Sequence, residues 1–194
     1  MAKFSFRPSL TIRGRKFFGL RGFDGKPFHP PLTDVPIGAY VLAAAFDAIS
    51  WVWRGESWST DFFKAATLVL IGGAVVSLGT ALTGYMDWKV STPKGTQARR
   101  TANAHGITML TVTGLVLIDI VIRLGQYGAA SPTTPLGLAI LSVVIALVTA
   151  LGATIGGTLV FDYGFNVKTG GDAPAWHKSD RDLLPGEKPG SDTV

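Results

Sequence analysis

A chain of 194 residues that is 47% apolar and only 16% charged falls well below the roughly one-quarter charged content of a soluble domain. Its apolar residues gather in four long runs, which rules out a disordered chain and argues against a soluble one. With no cysteine there is no disulfide framework, no thiolate zinc site and no cysteine-ligated iron–sulfur cluster on this chain.

The first 34 residues are basic and mixed, with no apolar core near the start, so no cleaved signal peptide is expected. Four spans of about 20 residues follow, near residues 36–53, 65–86, 105–127 and 136–161. The expected fold is therefore all-α, a four-transmembrane-helix bundle over 35–163, with a polar N-terminal tail over 1–34 and an extended C-terminal arm over 164–194. Trp51, Trp53 and Trp58 surround the 54–64 loop and suit an interfacial aromatic belt. Gly152 and Gly156 form a GxxxG whose expected use is packing inside the bundle rather than a dimer interface. No internal repeat is visible, nor a pair of broken helices.

Orientation follows from the basic residues. Lys3, Arg7, Arg13, Arg15, Lys16, Arg21 and Lys26 precede the first span. Lys89, Lys94, Arg99 and Arg100 lie between spans two and three, and Lys168, Lys178, Arg181 and Lys188 follow span four. The opposite side has only Arg54 and Lys64. Both termini are expected to be cytoplasmic, in the inner (plasma) membrane. The net charge of +5 is then a topological signal facing anionic headgroups. No nucleic-acid motif accompanies it, and no nucleic-acid partner is expected.

Charges inside a span cost about 2.5–3.5 kcal/mol each and need partners. Asp47 lies ~17 Å along the axis from Pro36, and Asp119 ~21 Å from His105. Spans one and three run the same way, so the two carboxylates reach similar depth. Arg123 shares the helix face of Asp119. The expected result is an Asp47–Arg123–Asp119 cluster pinning helix one to helix three. A proton or ion relay through it ranks below pinning, because spans two and four offer only Ser and Thr there.

A second constellation gathers on the cytoplasmic face. His29 lies in a stiff Pro-rich approach to span one, and Asp34 and Asn103 stand where N-caps belong. Asp87 ends span two, His105 opens span three and Asp162 ends span four. The two carboxylates at helix C-termini oppose the macrodipole and need partners, with Arg99 or Arg100 nearest in sequence. His29, Asp34, Asp87 and His105 form a candidate metal-ligand set, and His29 with His105 a candidate pair for haem iron.

The stretch from His29-Pro30-Pro31-Leu32-Thr33-Asp34 to Pro36-Ile37-Gly38, followed by Asp47, resembles the opening signature of the bacterial membrane family called domain of unknown function 2231. Gly84-Tyr85-Met86-Asp87-Trp88, Asn103-Ala104-His105 with Arg123, and Gly156-Gly157-Thr158 with Gly164-Phe165-Asn166 are similar to its later signatures, in order, over roughly residues 22–170. The resemblance implies a four-helix membrane domain and no established activity. Some relatives carry a Rieske-type domain after the fourth helix. Trp176-His177 and Asp182-Leu183-Leu184-Pro185 resemble the approach to one, without its ligands. Many relatives have histidines at the position of Asp34 and near Lys26 where this chain has none, which leaves His29 and His105 as the shared candidates.

These readings order the functions. First stands a non-catalytic accessory subunit of a larger, redox or respiratory membrane complex, in contact with lipid, with other membrane subunits and with a separately encoded redox protein. Second stands an electron-transfer protein binding haem b or a metal ion through His29 and His105. A proton or solute transporter comes third. No nucleophile–base pair is placed by any motif, so an enzyme is not expected.

Overall fold

The structure is a computed structural model that describes residues 12 and 14–168. The expected arm beyond 168, with Trp176 and His177, lies outside the described residues. A short 3-10 turn, Gly19–Arg21, precedes four long helices: α1 His29–Val52, α2 Ser59–Ser91, α3 Gln97–Leu124 and α4 Leu136–Phe161. All four are long and apolar enough to cross a bilayer. They run alternately up and down, each packed on its chain neighbours and α4 on α1, so α1 and α3 stand on one diagonal. Leu68, Leu78, Ile107, Leu110, Val121 and Leu147 stay exposed on the outside of the bundle, where acyl chains solvate them as well as protein would.

Three helices begin or end beyond the expected limits, each for a local reason. Sequence reasoning starts the first span near residue 36 with Asp34 as its cap. The helix instead begins at His29, because Pro30 and Pro31 fall in the first turn, where no N–H is needed. Asp34 is thus an exposed residue inside α1. Pro36, now interior, cannot donate to the Leu32 carbonyl. The Thr80 hydroxyl of α2 shares its one proton between that carbonyl, at 3.4 Å, and the Val76 carbonyl of its own helix, at 3.2 Å. Helix α3 likewise starts before Asn103: Thr96 caps it, its Oγ1 accepting from the Arg99 N–H at 3.2 Å. Asn103 instead accepts from Trp88 Nε1 at 2.7 Å. Helix α2 runs through Asp87 to Ser91.

A repeat invisible in the residue types emerges from burial. In α1 the buried positions include Pro36, Tyr40, Ala43 and Asp47. At the Asp47-to-Arg123 offset of 76, α3 buries Val112, Val116, Asp119 and Arg123. In α2, Ala66, Thr67, Leu70, Gly73 and Thr80 are buried. Their counterparts in α4, at one constant offset, are Leu138, Ala139, Ser142, Ile145 and Gly152. The α3–α4 hairpin therefore repeats the buried positions of the α1–α2 hairpin at constant offsets. It is burial that repeats along most of the helices, while side-chain size does not, so comparing letters does not find it.

At the His29 end, the chain before α1 folds back on itself. Phe17, Phe23 and Phe28 form a ring cluster with centroids 5.1–6.2 Å apart, and Phe23 bridges to both Phe17 and Lys26.

Candidate metal-binding site

His29 opens α1 and His105 lies in the third turn of α3. Each reaches across to the second helix of its own hairpin. His29 Nδ1 meets the Thr80 carbonyl oxygen at 2.9 Å, and His105 Nδ1 meets the Gly152 carbonyl oxygen at 2.9 Å. A carbonyl only accepts, so Nδ1 is the donor in both rings, and in the neutral tautomer Nε2 keeps its lone pair. Neither Nε2 has a hydrogen-bond partner among the described residues.

One turn beyond each carbonyl comes a glycine. A Cβ built on Gly84 would stand 2.6 Å from His29 Cε1, and one on Gly156 would stand 2.9 Å from His105 Cε1. Both rings thus press their Cε1 side against bare helix backbone, a seat that any side chain would fill. The two rings sit 6.0 Å apart, centre to centre, at 81°. Thr80 and Gly152 are equivalent in the repeat, as are Gly84 and Gly156, and His29 and His105. The whole imidazole mount is therefore built twice. Gly152 also receives Met109, whose side chain occupies the place of a Cβ, so the GxxxG is consumed within the chain.

The larger ligand set does not assemble. Among the described residues no group of three or more His, Cys, Asp or Glu stands close enough to share a metal ion. Asp34 faces away on the exposed side of α1. Asp87 is buried but committed: Arg21 Nε donates to its Oδ1 at 3.3 Å and Asn166 Nδ2 at 2.9 Å, while Arg21 Nη2 bonds Ser91 at 2.8 Å. Arg99, the partner expected from sequence, lies instead over the Trp88 ring at 3.6 Å and donates to the Trp88 and Thr92 carbonyls, each at 3.0 Å. Arg21 was not singled out because it lies 66 residues from Asp87, in a segment without helical period. Asp162 follows α4 as its C-cap.

At the opposite end, Asp47, Asp119 and Arg123 meet with no solvent exposure at all. Arg123 Nε donates to Asp119 Oδ1 at 2.6 Å, Nη1 donates to Asp47 Oδ1 at 2.9 Å, and Nη2 donates to Asp47 Oδ2. This is the paired fork that suits guanidinium to carboxylate. Nη2 also reaches Ser142 Oγ at 3.1 Å, Thr134 Oγ1 donates to Asp47 at 2.8 Å, and the Phe63 ring lies 5.5 Å from the guanidinium carbon. All four helices touch one charge. Ser142 and Thr134 carry no sequence signal, since Ser and Thr in spans usually bond their own helix.

The matched span of a family model, described as predicted membrane protein, domain of unknown function 2231, is residues 25–169. The chain belongs to that family. Both imidazoles, their glycine seats and the charge cluster of this family member all fall inside the matched span. No curated protein and no solved structure matches the chain.

Proposed function

We propose that this family member is a small accessory subunit of a membrane redox complex, and that its working group is a haem iron ligated by Nε2 of His29 and His105. The observation that carries this reading is the duplicated mount: each imidazole has Nδ1 tied to a backbone carbonyl, the outer-sphere bond that fixes the tautomer and orientation of a metal-ligating histidine. The ligand count favours haem over a bare metal ion. A bare zinc ion takes three or four protein ligands, whereas haem iron needs only axial ones from protein. His29 and His105 would hold the group, their ring centres standing 6.0 Å apart. The group supplies one-electron chemistry when bound. The chain supplies tautomer, ring orientation and a lipid-shielded surround.

The basic segments support a location on the cytoplasmic side of the inner membrane, where other subunits and a separate redox protein would meet the site. A purely structural accessory subunit is the second reading. It is favoured by the way Arg21 and Asn166 fasten both flanking segments onto Asp87.

The test is a reduced-minus-oxidised visible spectrum of the detergent-purified full chain, with metal analysis of the same sample. A Soret band that shifts on reduction, and that disappears in His29→Ala and His105→Ala, is expected. A colourless, metal-free protein purified with its partners intact overturns the haem and leaves the structural subunit.

A further inference from the structure

Between the imidazoles and the charge cluster the bundle holds a third polar layer, two of whose buried hydroxyls are left without a hydrogen-bond partner of good geometry. Tyr40 and Thr149 are 1% and 0% exposed, yet neither Tyr40 Oη nor Thr149 Oγ1 has a partner among the described residues. Both stand at one depth. Asp47 of α1 and Ser142 of α4 are in hydrogen-bond contact, and Tyr40 and Thr149 each lie two helical turns, about 10 Å, from that contact toward the His29 end. Two turns return a residue to the same helix face, so Tyr40 and Thr149 both stand on the inward faces of their helices.

Thr149 also departs from the habit of its neighbours. Thr67, Thr113 and Thr154 donate to the carbonyl one turn back at 2.8–2.9 Å, as span threonines commonly do. Thr149 does not. Its counterpart in the first hairpin is Ser77, whose hydroxyl interacts with that of Tyr40 but spends its own proton on the Ala74 carbonyl at 2.7 Å. The Tyr40 ring is held in place by Gly73, where a Cβ would come within 2.9 Å of Cε1. Buried hydroxyls without partners are destabilising, and a water with two to four polar neighbours is the usual remedy.

We infer that Tyr40, Ser77 and Thr149 bind one ordered water at the centre of the bundle. The repeat explains why it is single: the position equivalent to Tyr40 is Val116, so only one side of the axis offers a phenol. The water is a ligand of the chain itself and does not depend on the metal reading.

Thermal unfolding of the full chain in detergent tests it through Tyr40→Phe, Thr149→Val and the double variant, all close to isosteric. A shared water predicts that each single change lowers Tm by about 2–4 °C and that the double change lowers it no further than the worse single. Strictly additive losses, or a gain in Tm on removing either hydroxyl, overturn it. A high-resolution structure of the purified chain gives the direct reading. Density within hydrogen-bond distance of both hydroxyls supports the inference, and a dry centre or a direct Tyr40–Thr149 bond sinks it.

Discussion

Asp47 and Arg123 occupy the same position in the two hairpins and neutralise each other across the bundle axis. An exact duplication would set like charge against like there. The cluster therefore depends on the two copies having diverged at this position, while the imidazole end kept His29 and His105 identical. Asp119, with Ala43 as its counterpart, adds a second carboxylate that only the α3 copy carries.

Removing the cation should be the most damaging single change in the protein. Arg123→Gln leaves two buried carboxylates around a neutral amide, and breaking a buried pair from one side costs about 3–5 kcal/mol. We expect Arg123→Gln to lose most of its folded yield in detergent. Asp47→Asn should fall less far, because Ser142 and Thr134 still bond its side chain. Comparing the two variants by thermal unfolding checks the order. A more stable Arg123→Gln protein would mean that the cluster does not pin the helices.

Gly84→Ala and Gly156→Ala should each push an imidazole off its seat. The added methyl would stand 2.6 Å and 2.9 Å from the ring carbon, and overpacking of this kind costs about 1–3 kcal/mol. We expect loss or a shift of any bound chromophore in both, with the larger effect at Gly84. Gly72→Ala and Gly114→Ala meet nothing within 4 Å and serve as controls, expected to match the parent in spectrum and Tm. Equal behaviour of all four variants would show that the rings move freely.

Thr80→Val tests the repair of the proline gap. The Leu32 carbonyl then loses the hydroxyl that stands in for the missing Pro36 N–H, at about 1 kcal/mol. Pro36→Ala restores a backbone donor and should recover part of that loss in the double variant. A Thr80→Val protein as stable as the parent, measured by chemical unfolding, would assign that 3.4 Å contact no weight.

Arg21→Ala releases Asp87 and Ser91 from the segment before α1. Arg21 is partly exposed, so the direct effect on stability should stay below about 1 kcal/mol. The readout is local: hydrogen exchange across residues 14–28 should speed up while the four helices stay protected. Unchanged exchange would mean that the phenylalanine cluster and the Lys168 contacts hold the segment without Arg21.

The fold was legible because bilayer physics writes itself in bulk composition: four apolar runs and three basic segments need no tertiary information. The meeting of Asp47, Asp119 and Arg123 was legible for the same reason, since a charge in hydrocarbon has few places to go. What the sequence hid was shared between distant segments. Arg21 finds Asp87, and Ser142 and Thr134 find Asp47, through packing that no local period announces. The start of α1 was misread because Pro30, Pro31 and Pro36 suggest a break, whereas two sit where a helix tolerates them and Thr80 compensates the third. The repeat stayed hidden because it lies in which positions are buried, with Tyr40 opposite Val116 and Leu70 opposite Ser142.

The Lys168 side chain pairs with Asp24 at 2.5 Å, and its N–H donates to the Gly25 carbonyl at 3.3 Å, so the strand of chain leaving α4 is buttoned to the one entering α1. The pair is exposed and worth at most about 1 kcal/mol, so it steers the two segments together at the histidine mouth without locking them. A broad, flat guest bound for the two imidazoles would open that contact at small cost, and the mouth would close again over it.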